Sequence, residues 1–167
     1  MANTKTSELN RPYLLVVLSL TLFLPGISVF VDYLLHSSQP VTIALIGKWF
    51  IFYAVGIRLF TAGLRQITKP AFTAKEIFHI TDTSSYPIVR ELGFANVCFG
   101  LIGIISLFLP HWRLVSAFGS GLYYGIAAVN HLIKKPAGSN EVIALVSDIF
   151  VFLMLLMYVL FMCWPGL

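Results

Sequence analysis

The sequence predicts an all-α integral membrane protein, a bundle of five transmembrane helices in a single domain of residues 1–167, and three features lead to that prediction. First, 58% of the 167 residues are hydrophobic and only 11% are charged, whereas an ordinary soluble domain carries about 25% charged residues. Second, five apolar segments each have about the 20 residues that a helix needs to cross a bilayer. Third, the basic residues flank these segments, as membrane topology signals do.

The five predicted spans cover residues 13–35, 41–64, 90–109, 114–133 and 141–164. The second is the weakest candidate for a span, because its apolar sequence is interrupted by Lys48 and Arg58. With the N-terminus in the cytoplasm, eight basic residues lie inside, and only Lys48 and Arg113 lie outside. The eight are Lys5, Arg11, Arg65, Lys69, Lys75, Arg90, Lys134 and Lys135. This positive-inside bias places the C-terminus outside, and we expect the protein in the cell (inner) membrane.

The longest connection, residues 66–89, is predicted to contain one short amphipathic helix. Thr73-Ala-Lys-Glu76 matches a capping box, which predicts a helix from Ala74 to about Ile80. Because this segment is partly apolar, we expect it to lie on the membrane surface or to fold back under the bundle.

Two charged residues lie deep inside predicted spans. Asp148 lies in the fifth span, where a carboxylate costs about 2.5–3.5 kcal/mol unless it is paired, protonated or facing water. Arg58 lies in the second span, about 10 Å from its cytoplasmic end by helical rise. Opposite charges at similar depth predict an Arg58–Asp148 pair between these two helices. Such a pair either only holds the bundle together or belongs to a functional site.

Other polar residues lie in the same cytoplasmic third of the bundle. Glu91 suits the first turn of the third helix, or it belongs to a pocket. His131 is a donor at a helix C-terminus beside two lysines, or a proton carrier or ligand in a polar pocket. This one-sided polarity predicts a cytoplasm-facing pocket or a charged interlock. Its candidate residues are Arg58, Glu91, Asn96, Asn130, His131 and Asp148.

Glycines recur on one face of the third span and on one face of the fourth. They are Gly93, Gly100 and Gly103 in the third, and Gly121 and Gly125 in the fourth. Small residues at such spacings let another helix approach closely. We therefore expect the third and fourth helices to pack tightly together. We also expect small-residue faces to mediate a homo-oligomer or a contact with a partner membrane protein.

Four stretches, "KPAFTAKEIFHI", "VRELGFAN", "AAVNHLI" and "NEVIALVSD", resemble a bacterial family of small multi-pass membrane proteins that is known only as a domain of unknown function. The resemblance covers about residues 48–152. The run Glu-x-Gly-x-Ala-Asn, from Glu91 to Asn96, is its most specific element. The resemblance implies a bacterial helical bundle with a family-level feature around Glu91 and Asn96, but it implies no reaction.

Cofactor and metal chemistry has no support in the sequence. Cys98 and Cys163 fall in different apolar segments and form no CxxC pair. Only His131 lies within a span, so a haem with two histidine ligands is not expected. Neither HxxxH nor HExxH occurs, and no carboxylates have di-metal spacing. We expect no cofactor, no metal and no nucleic acid, and the lipid bilayer as the main partner.

Three functions remain open at this point. The first is binding or transport of a small or lipidic molecule through the cytoplasm-side pocket, where Arg58 holds an anionic head group or sets the charge of Asp148, and Glu91 or Asp148 accepts protons. The second is a structural or accessory subunit whose polar residues tie helices together. The third is a lipid-modifying enzyme with Glu91 or His131 as general base, so the sequence does not decide whether the protein is an enzyme.

Overall fold

The computed structural model describes residues 9–36, 40–136 and 138–164, which form helices and no strand. Lys5, one of the basic residues counted for the orientation, lies outside these ranges. The helices are α1 (Arg11–Leu35), α2 (Ile43–Thr68), α3 (Thr73–Ile77), α4 (Tyr86–Phe108), α5 (Trp112–Lys134) and α6 (Ser139–Cys163). The predicted all-α class is confirmed.

Four of the helices are long and apolar enough to cross a membrane, namely α1, α2, α4 with the 3₁₀ turn before it, and α6. α5 has 23 residues but is not among the four, because its glycines, serines, tyrosines, asparagine and histidine lower its hydropathy. The four apolar helices indicate a membrane protein. A fifth span at α5 stays a prediction.

π-Helical turns interrupt both α1 and α2. In α1 they cover Ser19–Phe23 and end two residues before Pro25. Proline has no N–H to donate to the carbonyl of Thr21, so the wider turns accommodate it while the helix continues. In α2 they cover Ile51–Ile57 and end next to Arg58. Insertions of this kind are frequent at functional sites.

The glycine face of α4 packs against α2. A Cβ on Gly103 would lie 2.6 Å from the backbone nitrogen of Gly56, and a Cβ on Gly100 would overlap the backbone of Phe60. Gly93 similarly lies against the backbone of Gly63. The two helix backbones are therefore in direct contact, an approach that only residues without a Cβ allow.

The glycine face of α5 packs against α6 instead. A Cβ on Gly125 would lie 2.9 Å from the Phe152 ring, and one on Gly121 would lie 3.5 Å from Leu155. The prediction that the third and fourth long helices use these faces to pack on each other is therefore wrong. The closest partner of α4 is α2, which carries glycines of its own at matching positions.

The short helix in the long connection is present but is not started by a capping box. Residues 71 and 72 are already helical, so Thr73 lies inside the helix and no side chain caps it. The Glu76 carboxylate instead accepts a hydrogen bond from Asn140 Nδ2 at 3.3 Å. Ala74 and Ile77 are buried, so this helix folds back against the bundle.

Candidate binding cavity

A cavity of about 700 Å³ lies at the end of the bundle where α1 and α6 begin, and all six helices contribute to its wall. Ligand pockets in proteins have volumes of about 300–1,000 Å³. Protein interiors are otherwise packed as densely as organic crystals. A space of this size is therefore the main candidate for a functional site in the described part of the chain.

An ion pair forms one side of the cavity. Arg58 Nη2 on α2 lies 3.0 Å from Asp148 Oδ1 on α6 and donates a second hydrogen bond to Ser147 Oγ at 2.8 Å. The guanidinium also lies 5.1 Å from the ring centroid of Tyr124 on α5, within the range of a cation–π contact. The predicted pairing of Arg58 with Asp148 is confirmed.

The other terminal nitrogen of this arginine, Arg58 Nη1, is buried and has no hydrogen-bond partner among the described residues. Buried donors nearly always have a hydrogen-bond partner in folded proteins. A buried donor without a partner lowers stability by about 1–3 kcal/mol, and by more when it is charged. Arg58 lines the cavity, and one of its terminal nitrogens, Nη1, has no hydrogen-bond partner among the described residues and almost no accessible surface.

Further polar side chains surround the pair. Asn96 Nδ2 on α4 donates to Gln66 Oε1 on α2 at 2.7 Å, and both residues are buried. Arg65 lies two turns after Arg58 on the same face of α2, and its guanidinium lies 3.9 Å from the Phe72 ring centroid. The wall therefore carries two guanidinium groups and one aspartate carboxylate.

Glu141, at the start of α6, contacts two histidines near the cavity. Its Oε1 lies 3.3 Å from His131 Nδ1, and its Oε2 lies 3.1 Å from His79 Nε2. His131 is on α5 and lines the cavity, whereas His79 belongs to the connection after α3 and has a positive φ of 56°. The buried carboxylate thus links three parts of the chain.

Asn140 makes a similar link one residue earlier. Its Oδ1 accepts a hydrogen bond from the backbone N–H of Asn10 at 2.9 Å, and the Asn10 side chain in turn caps α1 by accepting from the Tyr13 N–H at 2.9 Å. Together with its bond to Glu76, Asn140 connects the first turn of α1, helix α3 and α6. The cavity end of the bundle is therefore cross-linked by buried polar side chains.

The structure places five of the six predicted pocket residues in the wall of this cavity: Arg58, Asn96, Asn130, His131 and Asp148. Glu91 does not line the cavity and is exposed. Because α4 begins at Tyr86, with a proline in its first turn, Glu91 also lies beyond the first turn. Its proposed role at the N-terminal end of the helix dipole is therefore wrong, since that effect falls off within one turn.

Several cavity residues were not singled out in the sequence. Gln66, Tyr123 and Tyr124 line the cavity, as do aromatic residues of α3 and its flanks. Arg65 had a usable signal, because it follows Arg58 at a heptad spacing and so shares its face. The tyrosines had none, because aromatic residues are also common in ordinary helix packing.

A second charged cluster lies at the opposite end of the bundle. Asp32 Oδ2 accepts hydrogen bonds from Lys48 Nζ at 2.7 Å and from Trp49 Nε1 at 2.8 Å, and His36 Nδ1 lies 2.9 Å from Asp32 Oδ1. This contact accounts for Lys48 within the second long helix. Neither end contains, among the described residues, three histidine, cysteine or acidic side chains arranged to hold a metal ion.

The long apolar helices and the polar cavity between them define a helical-bundle membrane protein. The chain belongs to the family described as "Family of unknown function (DUF6790)", whose model matches residues 10–164. This match includes every helix described above, and it confirms the resemblance to a family of unknown function. No curated protein and no solved structure matches the chain.

Proposed function

We propose that this protein binds or transports a small or lipidic molecule in the cavity between its helices. The observation that carries the proposal is the cavity of about 700 Å³ with the Arg58–Asp148 pair in its wall. A pair whose only task is to hold two helices together needs no open space beside it. The cavity has the volume of a ligand pocket and opens at exposed apolar residues such as Val16 and Ile126, so a ligand has both room and a way in.

In the proposed topology the protein crosses the cell (inner) membrane five times, with α5 as the fourth span. The N-terminus lies on the cytoplasmic side and the C-terminus on the outer side. Two observations support this topology. α5 packs against α6, one of the apolar helices, through Gly121 and Gly125. Basic residues, among them Arg65, Arg90 and Lys134, lie at the cavity end of the bundle, as the positive-inside rule requires of a cytoplasmic face. The cavity then lies on the cytoplasmic side.

The accessory-subunit alternative expects polar residues that tie helices together, and contacts such as Arg58–Asp148 and Asn140–Glu76 fit it too. It also expects glycine faces that receive a partner helix, but both faces are occupied within the chain. No comparable observation favours an enzyme over a binding protein. Binding in the cavity is therefore the function that the geometry supports best.

The test is native mass spectrometry of the full chain extracted in patches of its own membrane. Wild-type protein is expected to carry a reproducible small adduct. Ala127 lines the cavity and is half-buried, so Ala127→Phe narrows the space and is expected to reduce or remove the adduct. Ala95 is also half-buried but lies outside the cavity wall, so Ala95→Phe should retain it. Wild-type protein without any adduct would refute the proposal.

A further inference from the structure

We infer that the occupant is a lipid-like amphipath with an anionic head group, and that this head group lies between Arg58 and Arg65 while the tail reaches the bilayer through an apolar opening. This inference rests on the proposed function and names its ligand class. It follows from the charge of the cavity wall, from an unpaired donor, and from the exposed apolar residues of the wall.

The charge of the wall favours an anion. Arg58 and Arg65 both line the cavity, whereas Asp148 is the one carboxylate in its wall. Asp148 offsets the charge of Arg58 at 3.0 Å, and the guanidinium of Arg65 stacks on an aromatic ring. The lining side chains thus carry two guanidinium groups against one carboxylate, while the Glu141 carboxylate lies behind the wall, 3.3 Å from His131. A bound anion would face the guanidinium of Arg65, which has no carboxylate partner among the described residues.

The hydrogen-bonding capacity of the wall favours an oxyanion. Arg58 Nη1 is buried without a partner among the described residues, although its sister nitrogen donates to two acceptors. Guanidinium groups bind carboxylates and phosphates through paired, charge-assisted hydrogen bonds. Because Nη1 has almost no accessible surface, an oxyanion in the cavity reaches this donor after a small shift of the Arg58 side chain. The side chain of Arg65, two turns away on the same face, bounds the same space.

The apolar part of the wall favours a lipid-like tail over a free inorganic anion. Val16 on α1 and Ile126 on α5 both line the cavity and are 52% and 69% exposed. In the proposed topology, these positions face the hydrocarbon of the membrane. The cavity thus has an apolar rim at bilayer depth, and Tyr13, Leu59 and Phe72 continue the apolar surface inward. A small hydrated anion would not use this surface.

The experiment uses the full chain in lipid nanodiscs and a fluorescent probe, dansyl-labelled undecanoic acid. Three competitors share one chain and differ in the head group: oleate, oleyl phosphate and oleyl alcohol. Inorganic phosphate is the fourth. We expect oleate or oleyl phosphate to displace the probe at about tenfold lower concentration than oleyl alcohol, the effect of one lost charge-assisted contact. Inorganic phosphate should not displace it.

The variants separate the head-group site from the fold. Arg65→Gln is expected to weaken binding of the anionic competitors about tenfold and to leave that of oleyl alcohol unchanged. Arg90→Gln is the matched control: it removes the same charge from an exposed position outside the cavity, and it should bind like the wild type.

Each remaining outcome has a definite meaning. Equal displacement by oleyl alcohol and oleate overturns the anionic head group but keeps binding in the cavity. Displacement by inorganic phosphate overturns the lipid-like tail. If the probe does not bind to the wild type while an adduct sensitive to Ala127→Phe is present, this ligand class is wrong and the proposed function stands. If both are absent, both proposals fail.

Discussion

Removing the guanidinium of Arg58 tests the central contact of the cavity. The side chains of Arg58 and Asp148 are only 11% and 12% exposed, so Arg58→Ala leaves a buried carboxylate without its cation and Ser147 without its donor. Breaking a buried pair from one side costs about 3–5 kcal/mol. Folded proteins are stable by only about 5–15 kcal/mol, so we expect a large loss of stability.

A double-mutant cycle of Arg58→Leu, Asp148→Leu and their combination isolates the pair itself. The double variant Arg58→Leu with Asp148→Leu removes both charges, and replacing a buried pair by apolar residues is often neutral or stabilising. We therefore expect the double variant to be more stable than Arg58→Ala and to lie within about 1 kcal/mol of the wild type, while it loses the anionic ligand. A stable bundle that no longer binds separates the structural role of the pair from its role in recognition.

The assay is reversible unfolding in mixed micelles of increasing sodium dodecyl sulfate, followed by circular dichroism. Arg90→Ala, at an exposed position, is the control and should change stability by less than about 0.5 kcal/mol. Unfolding of Arg58→Ala at the same detergent fraction as the wild type would show that the pair is not a buried, stabilising contact. The same conclusion follows if the effects of Arg58→Leu and Asp148→Leu simply add in the double variant, since neighbours in contact are expected to couple.

Three further predictions use the same unfolding assay or limited proteolysis. Gly100→Ala should destabilise the bundle by about 1–3 kcal/mol, because its Cβ would overlap the α2 backbone. Gly26→Ala is the control and should not destabilise it, because no atom lies within 4 Å of the added Cβ. Equal stabilities of the two variants would contradict the described helix contact. Glu141→Ala removes the carboxylate that contacts His79 in the connection after α3. We therefore expect trypsin to cut at Lys75, in α3, faster than in the wild type. An unchanged rate would show that this contact does not hold α3 against the bundle. Lys48→Ala should lower stability by at most about 1 kcal/mol. The lysine side chain is 27% exposed, and its partner Asp32 keeps the hydrogen bond from Trp49. A loss of several kcal/mol would mean that the Lys48–Asp32 pair is buried in the membrane.

The Arg58–Asp148 pair was predictable because two constraints act on it at once. A charge inside an apolar span is too costly to stand alone, and helical rise gives its depth from sequence position. Two opposite charges at one depth therefore had few alternatives to each other. The same rule applies wherever two spans carry opposite charges at similar depth.

The partners of the glycine faces were not predictable in the same way. A face such as Gly93, Gly100 and Gly103 indicates that some backbone comes close, but it does not identify which helix provides it. The deciding residues were Gly56 and Gly63 on α2. Gly56 lies in π-helical turns, where the side-chain period departs from that of an α-helix and a pattern search for one face fails.

Of the residues that line the cavity, the sequence predicts charged and polar ones but not the aromatic ones. The aromatic wall came together through tertiary packing of α1, α3 and α5, which no local pattern encodes. Glu91 shows the converse. It belongs to the most specific run of the sequence, but the face it occupies points away from Asn96 and from the cavity.

The pairing of glycine faces has a mechanical consequence. α2 and α4 form a block in which the two backbones touch, at Gly56 with Gly103 and at Gly63 with Gly93. α5 and α6 join this block through side chains: Tyr158 lies against Gly47, Arg58 pairs with Asp148, Phe99 stacks on Tyr123 at 5.3 Å, and the Tyr124 hydroxyl donates to Ala54 O at 2.8 Å. Side chains change rotamer far more easily than interlocked backbones separate. We therefore expect the contacts of α5 and α6 with this block to yield more easily than the α2–α4 contact, and the cavity lies where these elements meet.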